Sequence, residues 1–163
     1  MNTTPHTIQT QIMSPLDNVI IQATNKGVSY VGFYPPTQYP ETSIEQVTNL
    51  HIIECAKQLE QYFNKQRQSF SLSLDTQGTK FQQAVWQALI AVPYGKTQSY
   101  SDIAIALNNP KAVRAVGAAN GKNPISIIVP CHRIIGASGK LTGYAGGLER
   151  KQWLLKHEGI LLN

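Results

Sequence analysis

The stretch Ile127-Ile128-Val129-Pro130-Cys131-His132-Arg133-Ile134-Ile135 constrains this chain more than any other. Apolar residues on both sides are what a buried strand requires, yet a proline, a thiol, an imidazole and a guanidinium interrupt the centre in direct succession. Proline has no N–H to give to a ladder, so a strand must end or bulge at Pro130, and the polar residues stand where the chain leaves the core. An arbitrary cysteine is usually a small buried hydrophobe. Here the Pro-Cys-His-Arg order points to chemistry: a thiol at the mouth of a strand, beside two potential cations, is expected to have a lowered pKa and to react as the thiolate.

With 163 residues the chain can build one ordinary domain or two small ones that share a core. Its two cysteines, Cys55 and Cys131, cannot make a disulfide framework, so a reducing compartment is expected. Residues 1–10 lack the basic-then-apolar order of a signal peptide, and no stretch approaches the roughly 20 apolar residues of a membrane span. A soluble, cytoplasmic protein is the expectation. The charge of +5 is unevenly divided: residues 1–78 hold four Lys/Arg against six Asp/Glu (−2), and residues 79–163 hold ten against three (+7). A basic half suits a polyanionic partner, but an idle basic surface would look the same, and charge alone does not decide.

The first third reads as antiparallel strands and a helix. Residues 19–23 and 28–33 flank the hairpin signal Asn25-Lys26-Gly27. A proline-rich loop spans 34–42, and Ser43 is expected to cap a helix running to about Asn64, with Ile44, Val47, Ile52, Ala56, Leu59 and Phe63 on one stripe. Cys55 lies beside that stripe, which assigns it to packing. Residues 70–74 alternate like a half-buried strand before a turn at Gln77-Gly78.

In the second half, Thr79 is a plausible cap for a helix to Ile90, and Ser99 for a short helix to Leu107. Pro110 suits the first turn of a third, reaching about Asn120. Two short helices joined by a tight turn in a basic half-chain resemble a helix-turn-helix. The third helix is built from Ala, Val and Gly, with Lys111 and Arg114 as its only charges. Base reading would require several Arg, Asn or Gln donors on one face, whereas small residues permit close approach to a sugar-phosphate wall. A glycine-rich loop, 136–147, leads to a last helix from Leu148 to His157, stopped by Gly159.

Pro130-Cys131-His132-Arg133, preceded by Gly121-Lys122-Asn123-Pro124 and followed by Gly143-Tyr144-Ala145-Gly146-Gly147, resembles the O6-alkylguanine-DNA alkyltransferases, as does the tail Trp153-Leu154-Leu155-Lys156-His157-Glu158-Gly159. The match is close over 79–163; residues 1–78 fit the family's more variable N-terminal part in outline. The resemblance implies an α/β N-terminal domain (1–78), a small antiparallel sheet plus helix that is ribonuclease-H-like. A mainly helical C-terminal domain (79–163) would carry the helix-turn-helix and the alkyl acceptor. It implies a DNA repair protein, acting as a monomer, that binds double-stranded DNA through the minor groove with little sequence preference. An O6-alkylguanine, or an O4-alkylthymine, would be flipped out and dealkylated once, irreversibly, without a cofactor.

Carried over residue by residue, the resemblance makes Cys131 the nucleophile, with His132 and Glu158 as the acid–base relay and Asn123 as the hinge between recognition helix and active-site strand. Arg114 becomes the finger filling the vacated stack, Tyr100 the helper of base rotation and Tyr144 a pocket wall. Arg133 and Ile134 join the substrate and DNA group; the sequence does not distinguish whether Arg133, next to the nucleophile, pairs with a carboxylate or favours the thiolate. Many relatives have serine where this chain has Ala145, but only the backbone N–H is needed to bond the guanine oxygen. Some relatives hold zinc in the N-terminal domain; Cys55, His6 and His51 show no ligand spacing, so no metal is expected. Ser126 is near the pocket entrance in relatives, where it would leave room for bulkier adducts.

The chemistry fits these residue types. Sulfur displaces guanine from an alkyl carbon, so Cys131 must supply a thiolate, and the departing base needs donors, for which the Ala145 N–H and the Tyr100 hydroxyl are candidates. In a strand, neighbouring side chains face opposite ways, so contact between Cys131 and His132 needs a kink or a bridging water. Glu158 would orient the imidazole. Two rivals remain at this level: a cysteine hydrolase, which would leave the basic helices unexplained, and a non-enzymatic helix-turn-helix module, which would leave Cys131 unexplained.

Overall fold

The computed structural model describes residues 6–161, in two compact units that divide between Gln77 and Gly78. In the first unit β1 (Ile8–Ile12), β2 (Val19–Ala23) and β3 (Val28–Gly32) form an antiparallel sheet in that order. The expected hairpin is present: the Thr24 N–H reaches the Gly27 carbonyl at 2.9 Å. Strand β1 has no counterpart in the sequence reading, because two of its inner positions, Gln9 and Thr10, are polar and buried. Gln9 is satisfied from the neighbouring strand, where Gln22 Nε2 donates to its Oε1 at 2.8 Å.

Helix α1 (Leu50–Phe63) packs on β2 and β3 through Ile52, Cys55, Leu59 and Tyr62, all fully buried. The helix expected from Ser43 begins six residues late. The Ser43 hydroxyl bonds the Glu45 carboxylate rather than capping a helix N–H, and only a 3-10 turn, Ile44–Gln46, follows before Val47 becomes extended. Asn49 is the true cap, accepting from the His51 and Ile52 N–H groups at 2.9 and 3.1 Å. The strand expected at 70–74 is also corrected. Gln58 takes up the Ser71 backbone through both side-chain atoms, and only Leu74 bridges the sheet, at Val28.

The second unit contains α2 (Lys80–Ile90), β4 (Gln98–Ser99), α3 (Tyr100–Ala106), α4 (Val113–Gly121), β5 (Ile134–Ile135) and α5 (Leu148–His157). Thr79 with Gln82, and Ser99 with Asp102, complete capping boxes that start α2 and α3 where the sequence indicated. Pro110 lies before α4, in the turn, because the chain first closes an Ala112 N–H to Asn109 carbonyl bond of 3.0 Å. Helix α4 packs against α2 and α3, and Trp86 Nε1 donates to the Ala119 carbonyl at 2.9 Å. The two-residue strands β4 and β5 pair in parallel, Gln98 with Ile134 and Ser99 with Ile135.

The expected buried strand at 127–135 is not one. Its apolar residues from Ile127 to Ile134 are buried, but the backbone coils. The Ile128 N–H bonds the Ser126 carbonyl at 2.8 Å around Ile127, whose φ is +73°, a conformation that a β-branched residue adopts only under strain. The Cys131 N–H bonds the Val129 carbonyl at 2.8 Å around Pro130, whose φ and ψ of −82° and 62° are those of an inverse γ-turn. Cys131–Arg133 then form a 3-10 turn, and only Ile134–Ile135 is strand. No helix among the described residues is long and apolar enough to cross a membrane.

Candidate active site

The coil before Cys131 is fixed by one side chain. Asn123, 7 % exposed, donates from Nδ2 to the Val129 and Ile125 carbonyls at 2.8 and 3.3 Å and accepts the Ile125 N–H at 3.0 Å. The same amide lies near enough to the Cys131 thiol to favour its thiolate form. Backbone groups that a strand ladder would satisfy are thus satisfied by Asn123, and the strained Ile127 is held in place.

A 3-10 turn has three residues per turn, so Cys131, His132 and Arg133 point about 120° apart rather than to opposite faces. All three are buried, His132 completely. His132 Nε2 meets Glu158 Oε2 at 2.7 Å. Arg133 grips the same carboxylate as a fork, Nε to Oε1 at 2.7 Å and Nη2 to Oε2 at 3.1 Å, and its Nη1 donates to the Val92 carbonyl at 2.7 Å. Of the two roles the sequence left open for Arg133, the structure has it pair with a carboxylate, Glu158, rather than with the thiol; buried there, it is not disposed to contact DNA as its grouping with the DNA-binding residues implied. Ile134 is likewise fully buried, with its carbonyl engaged by Lys151.

These contacts order the charges. Burial pushes the Glu158 carboxyl up, but hydrogen bonds and charge from His132 and Arg133 outweigh it and bring it down to about 2. Burial pushes the His132 imidazole below its ordinary value, opposed by Glu158 and assisted by Arg133 and Lys151. Burial also pushes the Cys131 thiol up, against the Asn123 hydrogen bond and the Lys151 charge. Desolvation thus works against the expected thiolate, and the guanidinium next in sequence is spent on Glu158 rather than on the thiol. Since an ionised carboxylate only accepts, His132 carries its proton on Nε2. Its Nδ1 lone pair is buried with no hydrogen-bond partner among the described residues.

Lys151 is the residue that sequence reasoning missed. It is fully buried, and its Nζ donates to the Ile134 and Thr142 carbonyls at 2.6 and 3.1 Å. Burial lowers its pKa to about 8, opposed by Cys131 when that thiol is ionised. The signal was present: Lys151, Leu154, Leu155 and Glu158 follow the i, i+3, i+4, i+7 spacing of one helical face.

The remaining candidates lie on other elements. Tyr100 opens α3, half-buried, with its hydroxyl 2.5 Å from Thr142 Oγ1. Tyr144 is half-buried and Ala145 exposed in the glycine-rich loop. Arg114 stands exposed on α4 with Ala115 and Ala118, while Val116, Ala119 and Asn120 turn inward. Ser126 is buried. Among the described residues no group of three or more His, Cys, Asp or Glu is disposed to hold a metal ion.

The chain matches known proteins over both units. Residues 8–76 fit the profile of the 6-O-methylguanine DNA methyltransferase ribonuclease-like domain, and residues 80–160 that of the same proteins' DNA binding domain. A methylated-DNA–protein-cysteine methyltransferase of Methanosarcina acetivorans is 48% identical over 147 residues, covering 90% of this chain and 94% of that protein. The crystal structure of Mycobacterium tuberculosis O6-methylguanine methyltransferase superposes with a TM-score of 0.82 at 42% identity, over 94% of this chain and 93% of that one. The Mycobacterium tuberculosis OGT crystallised in complex with DNA gives 0.83 at 42% identity, over 92% and 91%. With both halves matched and a relative alike over nearly its whole length, the chain belongs to the 6-O-methylguanine DNA methyltransferase family.

Proposed function

We propose that this protein repairs DNA by moving the alkyl group of an O6-alkylguanine onto Cys131, with His132 as the general base and Glu158 as its anchor. The observation that carries the assignment is the buried, partnerless Nδ1 of His132, one residue from a buried thiol and held through Nε2 by a carboxylate that stays ionised. An imidazole kept neutral with its lone pair away from Glu158 is built to take a proton. The Cys131 proton passes to Nδ1, directly or through a water, and Glu158 stabilises the imidazolium. Sulfur bonds to the alkyl carbon, the carbon–O6 bond breaks, and its electron pair leaves with the guanine. The Ala145 N–H and the Tyr100 hydroxyl are the donors assigned to that developing charge.

The product is a thioether, which has no electrophilic carbonyl for water to attack, so each molecule acts once. The two helices α3 and α4, with their small-residue surface, are read as a helix-turn-helix lying on the sugar-phosphate wall of the minor groove. Arg114 would fill the gap left by the extruded base, which costs a few kcal/mol to unstack. Residues 1–78 are read as a ribonuclease-H-like domain and 79–163 as the DNA-binding and alkyl-acceptor domain. A monomer working in the cytoplasm, accepting O4-alkylthymine in the same pocket, completes the reading. The test is transfer of a labelled methyl group from a duplex containing O6-methylguanine. The expected result is incorporation that stops at one label per chain; continued turnover, or release of the label as methanol, would overturn it.

A further inference from the structure

Thr142 plays no part in the relay, yet it occupies a junction. Its hydroxyl oxygen lies 2.5 Å from the Tyr100 hydroxyl, and its carbonyl accepts from buried Lys151 at 3.1 Å. The same ammonium holds the Ile134 carbonyl at 2.6 Å, directly after the Cys-His-Arg turn. Tyr100 is set independently: it opens α3 behind the Ser99–Asp102 capping box. Its ring lies over Gly117 of α4, where an added Cβ would come within 3.8 Å of Tyr100 Cδ1. The Thr142 methyl faces Gly136 of the same loop, 3.5 Å from where a Cβ there would stand. The Tyr100 ring and the Thr142 backbone are thus each set by groups outside the hydroxyl pair.

We propose that Thr142 is a positioning residue for alkyl transfer. Its hydroxyl donates to the Tyr100 phenolic oxygen, and this leaves the phenol's own proton free and aimed at the departing base. Each hydroxyl has one proton, so a bond between them leaves one to spare. If the phenol donated to Thr142, it would have none for the substrate. If Thr142 donates, the phenol is free and, being polarised, a stronger donor. Proton counts in the transfer step do not change: the Cys131 proton rests on His132, and Tyr100 and Thr142 contribute hydrogen bonds to the guanine anion. The inference rests on the reading of Tyr100 as a donor to that anion.

Thr142→Val removes the hydroxyl at nearly constant shape and leaves the carbonyl on Lys151, while Thr142→Ser restores it. Transfer from free O6-methylguanine and from a methylated duplex is expected to slow roughly three- to tenfold in Thr142→Val, as for one neutral hydrogen bond. Thr142→Ala, free of any crowding from valine, should lose the same, and Thr142→Ser should stay within about twofold of the parent. In a Tyr100→Phe background, Thr142→Val should cause no further loss. Parental rates in Thr142→Val, failure of serine to restore the rate, or losses that multiply in the double variant would each overturn the proposal. A parent protein that transfers no methyl at all would instead sink the reading of the active site, a separate failure.

Discussion

Each unit buries one cysteine, and the two differ in what surrounds them. Cys55, on the face of α1 that packs against the sheet, has Ile52 and Leu59 as helix neighbours turned to the same core, and burial pushes its thiol up to about 12. Cys131 is as deeply enclosed, and burial raises its thiol too. The second site opposes desolvation with an amide and an ammonium, and sets a neutral imidazole one residue away. Burial alone makes a thiol inert. A proton acceptor and charges that favour the thiolate distinguish a nucleophile that waits from one that never reacts.

The largest effect should come from exchanging the two sites' fates. Cys131→Ala is expected to abolish transfer while leaving affinity for DNA nearly intact, and Cys55→Ala to leave transfer unchanged apart from some loss of stability, about 1–2 kcal/mol from the small cavity. Mass spectrometry after reaction with a methylated duplex should find the methyl group on the peptide containing Cys131. A methyl group on Cys55 would erase the distinction drawn here.

Next in size is Glu158→Gln, expected to slow transfer about a hundredfold, within the range of general-base catalysis. Because Glu158 raises the His132 pKa, its loss should move the acid limb of the rate profile to lower pH while the plateau falls. In the parent that limb is expected below the ordinary imidazole value of 6.5, because burial lowers the His132 pKa. Stability has its own signature. A carboxyl depressed to about 2 in the fold and near 4.5 in the unfolded chain adds stability above 4.5 that is lost as pH falls towards 2. Acid melts of Glu158→Gln should lack that component; identical acid titrations of the two proteins would place Glu158 outside the relay.

The elements that could be read in advance were those with local signals. Thr79 and Ser99 started their helices where the sequence indicated, because each cap closes with a residue three positions on. The coil around Ile127 and Pro130 was hidden, because its apolar run looks like a strand and the amide that bends it, Asn123, lies outside the run. Buried Gln9 concealed β1 for a similar reason: its carbonyl is met by the Gln22 amide across the sheet, a pairing invisible until the strands are aligned. At the active site, the order of motifs pointed to Cys131, His132 and Glu158. It did not show which way Arg133 turns, since adjacent residues in a 3-10 turn diverge and only the fold sets the guanidinium on Glu158 rather than on the thiol. Lys151 was legible from its spacing to Leu154, Leu155 and Glu158, but a lysine is ordinarily assumed to face water.

Arg114 should show an effect that depends on substrate. If it supports base extrusion, Arg114→Ala slows repair of a lesion in duplex DNA at least about tenfold, from lost support of a step costing a few kcal/mol. Dealkylation of the free base, which needs no extrusion, should stay within about twofold of the parent. Its exposure on α4, apart from the buried relay, motivates the split. Equal losses on both substrates would assign Arg114 to the active site instead.

The smallest effect compares the outer surfaces of the two units. Lys122, exposed at the end of α4, belongs to the half that carries +7, and Lys65, exposed just beyond α1, to the half that carries −2. Both are ordinary surface lysines, so charge removal perturbs the fold little in either case. A lysine that neutralises a phosphate releases a counterion, so its removal should lower the magnitude of the log K against log salt slope by about 0.9 and weaken binding severalfold at moderate salt. Lys122→Ala is expected to do this on undamaged duplex of any sequence, whereas Lys65→Ala should leave the slope unchanged. Sequence-independence follows from a helix that offers Ala, Val and Gly rather than base-reading donors. Equal changes in slope for the two variants would mean that DNA meets both units, and the division into a basic binding half and a supporting half would have to be abandoned.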